Sequence, residues 1–173
     1  MKNVGNVQSI FDLFDKRWAL VTAGDGESFN TMTISWGALG TLWSLPAVTV
    51  YVRPSRYTHE FLEREPLFTV SFFGEAHRKE LGILGSLSGR DSDKLKLTGL
   101  NAKIIETPEG RTVGFAEAEH TFVCRRIFRQ DMDKAHVLPE IAEAHYSENE
   151  PAHTMYVGEV IGVIASANRQ TEF

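Results

Sequence analysis

Thr154-Met155-Tyr156-Val157-Gly158-Glu159-Val160-Ile161-Gly162-Val163-Ile164-Ala165 is the stretch on which the fold turns. Met155, Val157, Ile161 and Val163 alternate with Tyr156, Val160 and Ile164, so a strand of period two carries apolar side chains on both faces. One face lines a core. The other needs a cover, either a helix or a second subunit, and a homodimer is the expectation that follows.

Working outward, residues 17–23 and 29–35 read as the arms of a hairpin around Ala23-Gly24-Asp25-Gly26-Glu27, whose glycines permit positive φ. Residues 47–52, 67–73, 112–129 and a short stretch at 101–106 have the apolar, β-branched and aromatic content of further strands. Helices are expected at 8–14, at 58–64 ahead of Pro66, at 76–84, at 91–97 with Asp91 as cap and Gly99 as stop, and at 139–146. Residues 36–44 show no clear period, 85–90 read as a loop, and the polar tail after Ala167 reads as frayed. The expected architecture is one domain over residues 1–173, with its core at about 11–165. It is mainly β with a few helices, arranged as a Greek-key barrel.

Composition narrows the function. A chain of 173 residues with 42% hydrophobic content buries one good core rather than two. A net charge of -5 disfavours nucleic acid and anionic membranes, which need a clustered positive footprint. Cys124 is the single cysteine, so neither an intrachain disulfide nor a Cys-rich metal site can form. No run approaches the length of a membrane span, and residues 1–16 lack a basic region followed by an apolar run, so the expected location is cytoplasmic. His59, His77, His120, His136 and His145 form no metal-ligand pattern and read as structural or exposed, so no metal is expected. The sequence contains no G-x-G-x-x-G after a strand, no G-x-x-x-x-G-K-[ST] and no G-x-S-x-G.

Three stretches carry chemistry. Arg53-Pro54-Ser55-Arg56-Tyr57-Thr58 joins a strand to a helix and offers guanidinium forks, hydroxyls and free helix-start amides, the parts of a phosphate cradle. The same residues would also make an ordinary surface turn with solvated arginines. Ser88-Gly89-Arg90-Asp91-Ser92-Asp93-Lys94 supplies donors of the same kind, with Gly89 permitting close backbone approach, although a capped helix start looks alike. Two such loops converging on one dianion explain their presence in an acidic chain better than either loop alone, since a phosphate needs several donors to offset its desolvation. The third stretch, Asn30-Thr31-Met32-Thr33-Ile34-Ser35-Trp36, is a hydroxyl-rich strand ending in an indole, suited to a flat heteroaromatic ring or simply to a half-buried sheet face.

Taken in order, Asn30 to Trp36, Leu45-Pro46, Arg53 to Thr58, Phe68-Thr69-Val70, Ser88-Gly89-Arg90 and His153 with Gly158-Glu159-Val160 resemble the flavin-reductase-like FMN-binding family, over residues 11–165. The resemblance implies a split β-barrel, a homodimer, and noncovalent FMN near the subunit interface. It places Asn30, Met32, Thr33, Ser35 and Trp36 on the isoalloxazine, and Arg53, Ser55, Arg56, Tyr57 and Thr58 on the ribityl phosphate. Ser88, Gly89, Arg90 and Lys94 would close the phosphate end. His153 falls near the reactive face, for proton donation or substrate orientation.

The implied function is an FMN-dependent oxidoreductase that passes hydride or electrons from a reduced donor to a flavin or another acceptor. NADH or NADPH would then stack transiently over the ring. Two alternatives stand beside it: a flavoredoxin-like electron carrier reduced by a protein partner, and a non-catalytic flavin-binding module. A pyridoxamine-phosphate oxidase-like enzyme on a related barrel fits the motif order less well.

Overall fold

The computed structural model describes residues 8–166; the polar tail after Ala167 lies outside them. The elements run α1 (Gln8–Asp15), β1 (Ala19–Gly24), β2 (Phe29–Ile34), β3 (Gly37–Leu42), β4 (Leu45–Val52), α2 (Tyr57–Arg64), β5 (Leu67–Phe72), α3 (Arg78–Ser86) and α4 (Lys94–Thr98). They continue with β6 (Ala102–Thr107), β7 (Gly110–Phe115), β8 (His120–Asp131), α5 (Pro139–His145) and β9 (Thr154–Ala165). Among the described residues no helix is long and apolar enough to cross a membrane.

Seven strands form one antiparallel sheet in the order β2-β1-β5-β8-β9-β4-β3, and β6 and β7 form a separate pair. β2 and β3 stand at opposite edges of the sheet, yet only Ser35 and Trp36 separate them in sequence. Three Cα–Cα steps span no more than about 11 Å, so the sheet must curl until its edges meet at that corner. It does not close by hydrogen bonds, and the result is a split barrel. The β8–β9 hairpin sits between β5 and β4, which are consecutive in sequence, and this interleaving is the Greek-key feature.

Two cores explain why every residue of β1 and β5 is buried. Val21, Ala23, Met32, Val48, Val50, Val52, Phe68, Val70 and Tyr156 fill the barrel together with Phe61 and Leu62 of α2. Leu20 and Phe73 face outward, into a second cluster with Leu81 and Leu84 of α3 and Phe115 of β7. By burying Phe61 and Leu62, α2 fixes the Arg53–Tyr57 connection at the barrel mouth.

Three expectations are corrected. Residues 36–44 hold a strand: β3 pairs with β4 from Gly37↔Val50 to Leu42↔Leu45, across a two-residue turn at Trp43 and Ser44. Both turn residues have positive φ, 52° and 62°, and the Trp43 ring packs against Phe128 at 6.2 Å. Residues 112–129 are not one strand, because β7 pairs with β6 and β8 with β5, and the chain turns between them where the Ala118 amide donates to the Phe115 carbonyl. The short helix after the second loop begins at Lys94, and its cap is Asp93, whose carboxylate accepts from the Lys96 amide. Gly99 ends it as expected, at φ 69°.

Candidate functional site

Two cavities meet at the barrel mouth. The first, of about 60 Å³, is lined by Asn30, Met32, Ser55, Arg56, Tyr57, Thr58, Leu84, Leu87, Ser88, Gly89 and Lys94, so it brings both polar loops together. The second, of about 180 Å³, is lined by Met32, Thr33, Ile34, Ser35, Trp36, Tyr51, Arg53, Arg56 and His153. Met32 and Arg56 border both. A small polar hole thus lies beside a larger slot along the end of β2, the adjacency that a phosphate tethered to a ring requires.

The electrostatics of the small cavity are unusual. Lys94 is only 5% exposed, and its ammonium donates to the Leu84 and Leu87 carbonyls, both at 3.3 Å, at the C-terminal end of α3. Arg56 donates to the Gly85 carbonyl at 3.3 Å. Among the described residues no carboxylate lies within ion-pairing distance of either cation. Burial, and then the neighbouring Arg56 charge, push the Lys94 amine down to about 8. Two cations share a hole with the hydroxyls of Ser55, Thr58 and Ser88 and no anion of the protein's own. That donor set fits a phosphate dianion.

The remaining site residues are distributed as follows. Asn30 is buried and donates through Nδ2 to the Thr58 hydroxyl at 2.7 Å, so it lines the phosphate-sized cavity rather than the slot. Gly89 lies hard against the Asn30 amide oxygen, where a Cβ has no room. Met32, Thr33, Ser35 and Trp36 border the slot, but the Thr33 hydroxyl donates to the Leu81 carbonyl at 2.6 Å and so ties β2 to α3.

Arg53 and Arg90 do not line the phosphate-sized cavity. Arg53 faces the slot, held by Glu150 at 2.9 Å and the His145 carbonyl at 2.8 Å. Arg90 lies outside both cavities, in a polar cleft of about 480 Å³ next to the smaller one. It pairs with Glu60, donates to the Ser55 carbonyl at 3.2 Å and stacks on Tyr57 at 4.9 Å, so it latches one loop to the other.

His153 is 7% exposed and lies 5.0 Å from the Trp36 ring, immediately before β9. Burial foremost, then the Arg53, His145 and Arg56 charges, lower its pKa to about 4. The imidazole is therefore neutral at pH 7, which favours hydrogen bonding and orientation over proton donation from an imidazolium.

Four slot neighbours gave no signal in the sequence: Tyr51, His145, Tyr146 and Glu150. Tyr146 bonds His153 Nδ1 at 2.9 Å, and His145, expected to be structural or exposed, is exposed but packs on Trp36 at 5.2 Å. Among the described residues no group of three or more His, Cys, Asp or Glu could hold a metal ion.

The geometry meets its relatives at this point. Structural likeness links the chain to flavoredoxin from Methanosarcina acetivorans, at 20% identity and TM-score 0.67, covering 87% of this chain and 69% of that one. It also links it to an FMN-binding domain of a flavin reductase-like enzyme from Shewanella baltica OS155, at 20% identity and TM-score 0.62, covering 94% and 75%. Nitrilotriacetate monooxygenase component B from Bacillus cereus aligns at 15% identity and TM-score 0.68, covering 99% and 83%. At these identities the likeness establishes the fold. No curated protein matches the sequence. The model of the flavin reductase like domain matches residues 11–172, nearly the whole chain, and the protein belongs to that family.

Proposed function

We propose that the chain binds one FMN noncovalently and uses it to carry electrons or hydride from a reduced donor to a second flavin or another acceptor. The observation that carries this reading is the pair Arg56 and Lys94, two cations that find no carboxylate partner among the described residues, in a phosphate-sized hole beside the Met32–Trp36 slot. Arg56, Lys94, Ser55, Thr58 and Ser88 would hold the phosphate, and the end of β2 with Trp36 would lie along the ring. When bound, the flavin supplies reversible hydride chemistry; the protein's part is to orient it and to place His153 beside it.

The purified protein is expected to be yellow or to become so with FMN, and the colour is expected to bleach on anaerobic addition of NADH or NADPH. A holoprotein that bleaches with dithionite but with neither nicotinamide favours the flavoredoxin-like carrier, reduced by a protein partner. Affinity without turnover would mark a pure flavin-binding module.

A homodimer belongs to the same proposal. β4 pairs with β9 only as far as Glu159, so beyond it β9 has an edge without a β4 neighbour, and there Val163 and Ile164 are 54% and 48% exposed. An apolar free edge of this kind invites a second copy. Val163→Lys with Ile164→Lys is expected to halve the mass measured by analytical ultracentrifugation. An unchanged mass would remove this edge from the interface.

A further inference from the structure

Next to the flavin slot lies an apolar groove of about 310 Å³, bordered by Trp36, Tyr51 and His153, which it shares with the slot, and by Met132, Val137, Ile141, His145 and Tyr146. We infer that this groove seats the electron acceptor, and that the acceptor is an uncharged, planar, apolar carbonyl compound of the quinone class. The inference rests on the flavin reading above.

Charge decides against the other redox substrates. Arg53 borders the slot beside the shared wall, and its guanidinium is already occupied by Glu150 and the His145 carbonyl. Arg56, the other cation bordering the slot, is committed to the FMN phosphate under the flavin reading, so the phosphates of a nicotinamide dinucleotide or a second flavin would lose hydration here with no free cation to meet them. Met132, Val137 and Ile141 offer only apolar surface, and the Trp36, Tyr51 and Tyr146 rings favour a flat partner. The volume is at the small end for ligand sites, enough for about two or three fused rings.

The carbonyl follows from the polar pair at the shared wall. The Tyr146 hydroxyl and His153 Nδ1 lie 2.9 Å apart; taking the phenol as the donor and the neutral imidazole nitrogen as the acceptor places the ring proton on Nε2. A neutral N–H on a side chain that borders both cavities complements a ground-state C=O and supplies no charge to attract an anion. With a reduced flavin bound, the exchange would balance as a transfer of two protons and two electrons to the quinone, whose two C=O groups become C–OH.

Isothermal titration of the oxidised, FMN-loaded protein tests this with a binding readout, using 1,4-naphthoquinone against its 2-sulfonate. The single thiol, Cys124, is buried, so thiol addition to the quinone does not intrude. The neutral quinone is expected to bind at least about tenfold more tightly than the sulfonate, and Ile141→Glu or Val137→Asp to weaken it by at least about tenfold at unchanged FMN affinity. Ile141 is 46% exposed, so its replacement spares the core. Equal binding of both compounds, binding of neither, or indifference to both substitutions overturns the proposal. If neither compound binds and Ile141→Glu also dissociates the protein, a second copy covers the groove instead. Failure of the flavin reading is seen separately, as a protein that takes up no FMN before any quinone is added.

Discussion

Lys94→Met is expected to weaken FMN binding by roughly 10- to 150-fold, the equivalent of about 1.5–3 kcal/mol for a hydrogen bond to a charged group. The FMN-free protein is expected to remain at least as stable. Methionine keeps the length and apolar stem of the side chain and deletes an ammonium that is nearly fully buried without a carboxylate. Its loss leaves the Leu84 and Leu87 carbonyls at the end of α3 without that donor, a cost offset by the removed desolvation.

The pH dependence gives an independent reading. With the amine near 8 in the free protein and 10.5 as its ordinary value, the unfolded chain holds the proton more tightly over that window, so this group adds stability as pH rises from about 8 to 10.5. FMN binding runs the other way. A phosphate requires the protonated amine, so affinity falls by up to about tenfold per pH unit above 8, and Lys94→Met abolishes that slope. Quenching of FMN fluorescence and thermal melts across pH 7–10 measure both. An FMN affinity unaffected by Lys94→Met would take the phosphate out of this cavity, whereas Arg56→Ala tests the exposed cation of the same pair.

Much of this was legible in the sequence because the signals were local. The β1–β2 hairpin announced itself through Gly24 and Gly26, with φ values of 132° and 97°, and the strand-to-helix phosphate loop through its arginines, hydroxyls and proline. β3 was not legible. Its turn places Trp43 and Ser44 at positive φ without glycine or asparagine, and the edge strand is short, with two glycines, so neither period nor turn chemistry marks it. The break between β7 and β8 is invisible for a related reason: no Pro or Asn interrupts residues 112–129, and the turn at 116–119 is built only from Ala and Glu.

At the site, the convergence of the two loops was foreseeable from charge. The assignment of each arginine was not, because Arg53 and Arg90 are diverted by Glu150 and Glu60, residues distant in sequence. Tyr146 and His145 reach the slot only because the end of α5 folds back against His153 and Trp36, a tertiary fact with no local pattern.

Gly158→Val is expected to destabilise the protein by about 3 kcal/mol or more, with a Tm lower by roughly 6–12 °C, because overpacking here has no soft neighbour. A Cβ at Gly158 would stand 2.5 Å from Phe68 Cζ and 2.7 Å from Cys124 Cβ. Phe68 is 1% exposed in the barrel core, where close packing leaves a ring little room to move, and a Cβ atom moves only if its backbone moves. Relief therefore requires β9 to draw away from β8, next to the register shift between Arg126 and Phe128 where the ladder is already irregular. β9 follows directly from His153, so the strain is transmitted to the residue that borders both the slot and the groove. Lys94→Met and Gly158→Val should consequently separate in a two-axis measurement on the FMN-free protein and its FMN affinity: the first lowers affinity without lowering Tm, the second lowers Tm first and affinity only as far as His153 and β9 shift. A Gly158→Val protein with wild-type Tm would mean that the β8–β9 pair yields freely, and that the packing of Phe68 against β9 does not hold the barrel wall in place.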